Sequence, residues 1–376
     1  MRAGLLVAAL LAAACSTGKQ GPVCAEGVDR CEANRLETCN DDGTAWEVTD
    51  DCAAAGRLCV VGVGCSPCVP DALACQGQDV VRCRPDGTAF DVVGTCDGAQ
   101  QQVCAGGQCK DACTLAADSR DYEGCEYWAV DLDNAVVATQ GAAAAQQFSV
   151  VVSNASLLDA DVKVEILCTA ADSVDPRTPC TPGQLFTVRG PIHMGPGDLR
   201  ILDLDPREVD GASRPEFNDG SGTARSLHAY RVSSTAPIIA YQFNPLENVG
   251  VFSNDASLLL PTEALASRYL VPSWPQTLAR TELSETNAGI HLRAFLTIVG
   301  TEDGTTVDVH LSTAILGGND IPAAAAGDDL TFTLDRFEIV NLETDGFNAD
   351  FTGSSVVARD NKRVAVFTGS EASDAP

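Results

Sequence analysis

The sequence predicts a mainly β protein: two small disulfide-rich modules followed by a large all-β sandwich-type domain, built as one sandwich or as two packed sandwiches. Three observations support this fold class. Two sets of six cysteines share their spacing, the later part of the chain alternates apolar and polar residues, and no segment shows sustained helical periodicity. The chain has 376 residues, of which 45% are hydrophobic, which argues against a wholly disordered protein.

The charge of the chain excludes one class of partner. It carries 52 acidic and 24 basic side chains, for a formal net charge of −28. A nucleic-acid-binding protein needs a basic surface to displace phosphate counterions, and anionic lipid surfaces repel a protein this acidic. We therefore expect no nucleic-acid partner.

The amino terminus has the pattern of an export signal. Arg2 precedes an uninterrupted apolar run over residues 3–14, which is too short to span about 30 Å of hydrocarbon as a helix. Small residues then lead directly into Cys15, and this resembles the bacterial lipobox, in which the cysteine becomes lipidated and cleavage occurs before it. We expect residues 1–14 to be a lipoprotein signal peptide and residues 15–23 a lipid-anchored linker; ordinary cleavage nearby is the alternative.

The residue after the cysteine bears on location. In Gram-negative lipoproteins, aspartate at this place usually retains the protein at the inner membrane, whereas this chain has Ser16. The resemblance therefore implies lipid anchoring in the outer membrane, facing either the periplasm or the cell surface. Several acyl chains on one cysteine can sustain such an anchor.

The cysteines reveal an internal repeat. The stretch NDDGTAWEV at 40–48 aligns with RPDGTAFDV at 84–92, and the first four cysteines of the two sets are offset by 44 residues. In both stretches Asp-Gly supplies the turn residues of a tight hairpin. We expect Cys-rich repeats at 24–67 and 68–112. Their cysteines are Cys24, Cys31, Cys39, Cys52, Cys59 and Cys65, then Cys68, Cys75, Cys83, Cys96, Cys104 and Cys109.

Disulfides are the expected chemistry of these repeats. Export places the thiols in an oxidising compartment, and a module of this size has little core of its own. Six cysteines allow 15 pairings, and the sequence does not choose among them. Zinc is the rival interpretation, suggested by the close pairs Cys65 with Cys68 and Cys109 with Cys113. No histidine lies between residues 24 and 125, so a zinc site would need four reduced thiolates.

Four further cysteines lie outside the repeats. Cys113 and Cys125 bracket the junction to the large domain, and Cys168 and Cys180 bracket a polar, proline-containing loop. Local pairing of each couple is the simplest expectation, since each bond then closes one loop.

Residues 113–376 form the predicted β-rich domain. Phe148, Val150 and Val152 share one face of a strand, and Val307, Val309 and Leu311 share one face of another. Turn residues such as Glu302-Asp303-Gly304 separate the strands. A strand near Val364–Phe367 lies so close to the end that the domain is expected to be incomplete at its carboxyl terminus.

Parts of this domain resemble a known family. The stretches are GCEYWAVDLDN at 124–134, IIAYQFNPLENVGVFSNDASLLLPTEAL at 238–265, YLVPSWPQT at 269–277 and KRVAVFTGSE at 362–371. Over roughly residues 120–376 the chain is similar to the N-terminal domain of IgGFc-binding protein, which is found in bacterial surface lipoproteins and in animals. The resemblance implies an extracellular β-rich adhesion or recognition domain, and does not by itself carry a ligand.

Two groups of residues are candidates for binding. Aromatic residues are scarce, at 5%, and they concentrate at Tyr127 and Trp128 and at Tyr241 and Phe243, with the polar Asn244 next to the second pair. These side chains either line a ligand surface or pack in the core. Asp131 and Asp133 would place oxygen ligands on one face of a strand, which makes them candidates for a calcium site. The alternative is that they form a solvated polar edge of the sheet.

No catalytic set is apparent. The chain has no GxSxG, no HExxH and no glycine-rich phosphate loop, and its histidines, His193, His228, His291 and His310, are scattered. We expect no enzyme activity, no cofactor and no metal. The leading hypothesis is a lipid-anchored surface protein that recognises an extracellular protein or glycan. The alternatives are a secreted hydrolase acting on polysaccharide or protein, and a purely structural envelope component.

Overall fold

A computed structural model of the chain describes residues 22–137, 141–144, 146–175, 177–209, 222–247, 254–275, 292–318 and 320–371. The predicted signal peptide, Cys15 and His291 lie outside the described residues. The chain divides into two compact units. Unit 1 comprises the described residues up to Cys96 together with Cys104–Cys109, and unit 2 comprises Asp97–Val103 and the chain from Lys110 onward.

Short antiparallel strands make up the cysteine-rich part of the chain. They are β1 (Asp29–Glu32), β2 (Arg35–Cys39), β3 (Trp46–Asp51), β4 (Leu58–Val60), β5 (Gly64–Ser66), β6 (Leu73–Gln76), β7 (Asp79–Cys83), β8 (Phe90–Thr95), β9 (Gln102–Ala105) and β10 (Gln108–Asp111). Two three-stranded sheets, β1-β2-β3 and β6-β7-β8, are built in the same order.

All twelve cysteines of the two sets form disulfides, so none of them is a free thiolate for zinc. The bonds of the first set are Cys24–Cys39, Cys31–Cys59 and Cys52–Cys65. Those of the second set are Cys68–Cys83, Cys75–Cys104 and Cys96–Cys109. In both sets the first cysteine pairs with the third, the second with the fifth and the fourth with the sixth, a choice that the sequence left open.

The two sets also share contacts that do not involve sulfur. The turns after β2 and β7 hold Gly43 and Gly87 at φ values of 66° and 69°, the left-handed region that the Asp-Gly pattern predicts. The Asn34 side chain accepts a hydrogen bond from the backbone N–H of Cys59 at 2.8 Å, and Gln78 accepts one from Cys104 at 3.4 Å. One side-chain amide thus positions the fifth cysteine in each set.

Unit 2 contains one helix that sequence reasoning missed, α1 (Ala112–Ser119), where a loop was expected between Cys113 and Cys125. The Asp111 carboxylate caps it by accepting from the backbone N–H of Thr114 at 2.8 Å, and Arg120 ends it in the left-handed conformation. The helix is only eight residues long, too short for its periodicity to stand out. A disulfide joins Cys113 to Cys125, the pair that their spacing predicts.

The rest of unit 2 is built almost entirely from strands. They are β11 (Gly124–Ala129), β12 (Val136–Val137), β13 (Gly141–Ala142), β14 (Ser149–Ser153), β15 (Ala160–Leu167), β16 (Leu185–Met194), β17 (Leu199–Asp203), β18 (Ala224–Ser226), β19 (Tyr230–Asn244), β20 (Asp255–Leu258), β21 (Arg268–Leu270), β22 (Ala294–Gly300), β23 (Thr305–His310), β24 (Asp329–Leu334), β25 (Ile339–Glu343), β26 (Ser355–Ala358) and β27 (Val364–Ser370). Short 3-10 helices occur at Gly98–Gln100, Asp172–Val174, Thr262–Ala264 and Arg359–Asn361.

The first sandwich is organised by the long strand β19. Its amino-terminal part pairs with β11 and β15, and its carboxyl-terminal part pairs with β14 and β20. Pro237, which has no N–H to donate, lies between these two parts, where one strand passes from one layer to the other. Strands β16 and β17 complete the two layers, and the core between them includes Phe148, Val162 and Ile238.

The second sandwich packs two four-stranded sheets, β18-β25-β22-β27 and β21-β26-β23-β24. Its core includes Leu296, Val307 and Phe351, all fully buried. A third cluster joins the sandwiches, in which the rings of Trp128 and Phe337 meet edge to face with centroids 4.9 Å apart. The predicted mainly β class is therefore confirmed, with 48% strand and 7% helix, in the form of two packed sandwiches. Among the described residues no helix has the length and apolarity needed to cross a membrane.

Candidate binding surface

In the carboxyl-terminal part of β19 the polar side chains point into the protein and the aromatic ones point outward, the opposite of the usual arrangement. Gln242 and Asn244 point inward and are 2% and 6% exposed, whereas Tyr241 points outward and is 38% exposed. Phe243 lies on the same outward face and is half-buried. Alternating residues of a strand occupy opposite faces, and an amphipathic strand ordinarily turns its apolar face to the core. Here the amides are buried and the aromatic rings face solvent.

The buried amides hold a neighbouring segment that has no regular hydrogen-bonding ladder. This segment, residues 130–135, is named the strap. The Gln242 side chain accepts from the backbone N–H of Val130 at 3.0 Å, and the Asn244 side chain donates to the carbonyl of Leu132. Asn134 donates to the carbonyl of Asn244 at 3.0 Å. The Asn244 amide is thus used inside the protein, and a ligand-binding role for Asn244 stays a prediction.

The outward face of this layer carries a row of apolar side chains, and we name this face the open face. Its central row runs directly across four strands, β17, β14, β19 and β20, because these residues are cross-strand partners. The row consists of Ile201, Val151, Tyr241 and Leu258. With strands about 4.8 Å apart, the row spans about 14 Å. Leu199 and Ile239 lie on the next row, both opposite Ser153.

The exposure of the open face is what makes it a candidate site. Ile201 is 54% exposed, Leu199 56% and Leu258 43%. Single exposed apolar residues are ordinary, but apolar side chains that lie side by side on neighbouring strands make this face a candidate site of interaction. An aromatic ring set among aliphatic side chains is also the composition that the centre of protein interfaces favours. The open face is thus suited to contact another apolar surface.

The other aromatic pair packs in the core, which is one of the two alternatives that the sequence left open. Tyr127 and Trp128 are adjacent in β11 and point to opposite faces, yet both are buried, at 0% and 1% exposure. Tyr127 packs in the first sandwich and donates to the carbonyl of Ile238, and Trp128 packs in the joining cluster and donates to the hydroxyl of Thr262 at 3.1 Å. They cannot line a ligand surface, because β11 has a core on each side.

The calcium interpretation of Asp131 and Asp133 rested on a strand that ends earlier. Strand β11 stops at Ala129, and the two carboxylates, 3% and 4% exposed, have different partners. Asp131 accepts from the backbone N–H of Arg207 at 3.0 Å, and Asp133 is hydrogen-bonded to the carboxyl group of Glu343 in the second sandwich. In the part of the chain that the structure describes, no group of three or more His, Cys, Asp or Glu side chains is placed to hold a metal ion.

The contact of Asp133 with Glu343 is a buried pair of acids. Glu343 is 2% exposed, and burial, followed by the charges of Asp133 and Glu371, raises its pKa well above the ordinary value. Its carboxyl oxygen also accepts from the backbone N–H of Gly222 at 2.8 Å. Since two buried carboxylates would repel, one proton shared by the pair is the stable arrangement at the boundary of the two sandwiches.

The described histidines do not converge. His193 lies 3.1 Å from Asp161 and His310 lies 2.8 Å from Asp329, both at exposed positions on separate sandwiches. His228 is buried, and its Nδ1 lies 2.8 Å from the carbonyl oxygen of Glu208. Burial, reinforced by the charge of Arg207, lowers the pKa of His228 to about 4, so this side chain is neutral at physiological pH.

Sequence reasoning found only two members of the open face, Tyr241 and Phe243. It missed Leu199, Ile201 and Leu258. One signal was available: β14 reads SVVVS, so the face opposite Val150 and Val152 carries an apolar residue, Val151, between two serines, where a surface sheet is ordinarily polar throughout. The alternation alone does not say which face is buried.

The comparisons with known proteins bear on the second sandwich. Residues 255–376, about a third of the chain, match a family model described as IgGFc binding protein. The matched segment begins at β20, on the open face, and continues through β27. No curated protein and no solved structure matches the chain. The match and the fold are compatible with a non-enzymatic extracellular recognition role.

Proposed function

We propose that this protein is a non-enzymatic recognition protein, anchored to the bacterial outer membrane by lipid on Cys15, whose open face binds an extracellular protein. The observation that carries the proposal is the apolar row of Ile201, Val151, Tyr241 and Leu258, three of which are exposed: Ile201 by 54%, Tyr241 by 38% and Leu258 by 43%. Burying such a row against a complementary surface removes apolar area from water, which drives association.

Two further observations support an extracellular setting. Sixteen cysteines form eight disulfides, a usage typical of proteins in oxidising compartments. Residues 255–376 match a family whose name describes binding of immunoglobulin Fc. A protein partner is favoured over a glycan at the open face, because this face offers few polar side chains to meet hydroxyl groups.

Binding can be tested on an array of extracellular proteins, including immunoglobulin Fc, and of glycans. We expect saturable binding of the chain to at least one protein, and about tenfold weaker binding by Ile201→Asp, since a charge at the centre of an apolar interface is desolvated without a partner. Leu270→Asp is the matched control, because Leu270 is 75% exposed on β21, away from the open face.

Two outcomes would contradict the proposal. If the array shows only glycan binding, the open face is not a protein-binding surface. If a protein binds and both variants bind it equally well, the contact lies elsewhere on the chain.

A further inference from the structure

A second candidate site lies on the other layer of the first sandwich, and it is independent of the open face. A cavity of about 440 Å³ is bounded by β15 and β16, by the loop that the Cys168–Cys180 disulfide closes, and by residues just after β17. This disulfide joins the pair that the sequence spacing predicts. The volume falls in the range of small-ligand pockets, about 300–1,000 Å³.

The floor of the cavity is a buried ion pair. The Arg207 guanidinium, with 6% of its side chain exposed, pairs with Asp172 and also donates to the carbonyl of Leu227 at 2.8 Å. Burial would raise the pKa of Asp172, but its hydrogen bond to Arg207 and that cation's charge lower it, so Asp172 stays ionised. Tyr230 lies beside this pair and donates to the backbone carbonyl of Asp205. The floor is therefore fixed and electrically balanced.

The solvent side of the cavity carries a second, looser set of charges. The Arg177 Nη2 atom lies 2.6 Å from Asp175 Oδ2, and its Nη1 atom lies 3.4 Å from Asp205 Oδ1. The Arg177 side chain is 66% exposed and the Asp205 side chain 44%. In the longer contact, the Arg177 guanidinium donates to the Asp205 carboxylate. Each of these groups can form more hydrogen bonds than this one. They remain available to a bound molecule.

The charge balance selects the class of ligand. Three carboxylates, Asp172, Asp175 and Asp205, face two guanidinium groups, and each guanidinium already has a carboxylate partner. An anion would therefore meet excess negative charge. A metal ion would need a set of ligands that the described residues do not provide. A neutral molecule that both donates and accepts hydrogen bonds fits these conditions.

Vicinal hydroxyl groups have this property, because each can donate to a carboxylate and accept from a guanidinium. The apolar wall, formed by Ile166, Val174 and Val188, suits the C–H face of a sugar ring. We propose that this cavity binds a neutral saccharide unit, with Arg177 donating to one hydroxyl and Asp205 accepting from its neighbour. This site goes beyond the protein-binding function proposed for the open face and does not depend on it.

The test is titration calorimetry of the full chain with a panel of neutral mono- and disaccharides, with inorganic phosphate and sulfate in parallel. We expect saturable binding of at least one saccharide, and about tenfold weaker binding by Arg177→Gln. Arg200→Gln is the matched control, because Arg200 forms an exposed ion pair with Asp198 at 2.9 Å and does not line the cavity. Equal melting temperatures of the two variants show that both are folded.

Three results would overturn the inference. They are the absence of binding by every saccharide, binding of phosphate or sulfate without any saccharide, and equal saccharide affinity of the two variants. None of them affects the Ile201→Asp test of the open face, so the two proposals fail separately.

Discussion

The folded structures of unit 1 and unit 2 are stabilised in different ways. Among the described residues of unit 1, the buried apolar side chains are cysteines and Val81. Unit 2 buries three clusters of aliphatic and aromatic side chains and contains only two disulfides, Cys113–Cys125 and Cys168–Cys180. A module of about 44 residues buries too little surface to be stable by the hydrophobic effect alone, so covalent bonds take the place of a core.

This difference also separates the roles that the two units can have. A surface that recognises a partner needs a rigid sheet beneath it, and the open face has one because β14 and β19 pack their other side against the core of the first sandwich. Unit 1 is built from strands of only three to six residues. The recognition surface proposed above therefore lies in unit 2.

The largest expected effect is that of reduction on unit 1. Removing a native disulfide from a small domain costs about 2–5 kcal/mol, and unit 1 has six of them and almost no other core. We expect a reductant under native conditions to make unit 1 sensitive to protease while unit 2 stays protected. Limited proteolysis followed by mass spectrometry of the fragments measures both at once.

The unreduced chain, digested in parallel, serves as the control for this experiment. Equal protection of both units under reductant would show that unit 1 has a core of another kind. Loss of both units at the same rate would show that the sandwiches also depend on their disulfides.

A smaller effect is expected on the stability of unit 2, from the titration of Glu343. Because the folded-state pKa of Glu343 is raised, its contribution to stability is complete below the ordinary pKa of 4.5 and is lost as pH rises through the folded-state value. Glu343→Gln cannot ionise, so we expect it to stabilise unit 2 at pH 8 by about 1–2 kcal/mol, and to have little effect at pH 4. Thermal unfolding across this pH range measures the difference.

Glu247→Gln provides the comparison for this prediction, because it removes one carboxylate at an exposed position of the same unit. An equal gain in both variants would trace the effect to the overall negative charge of the chain. A loss of stability in Glu343→Gln at pH 8 would mean that Asp133 needs an ionised partner, contrary to the shared proton.

The sequence predicted the covalent framework in part. Spacing was enough for Cys113 with Cys125 and Cys168 with Cys180, because each pair is local and closes one loop. Within each set the second cysteine pairs with the fifth, past two intervening strands, and such a pairing depends on how β1 and β4, or β6 and β9, lie relative to each other. Spacing along the chain contains no information on that arrangement.

Less of the candidate site than of the fold could be predicted from the sequence. The alternation in β19 correctly indicates a strand, but the burial of Gln242 and Asn244 depends on the strap, which supplies their hydrogen-bond partners from more than a hundred residues away. Likewise, Tyr127 and Trp128 are both buried because the second sandwich covers the far side of β11. Contacts between distant segments decide which face of a strand is exposed, and a single sequence does not state them.

The account depends most directly on the oxidation state of the cysteines. The decisive measurement is the mass of the purified protein after denaturation and alkylation without reductant, with the modified residues located by peptide mapping. We predict that none of the sixteen cysteines in the eight disulfides is alkylated. Alkylation at the twelve cysteines of unit 1 would contradict the disulfide framework and, with it, the extracellular role proposed for the chain.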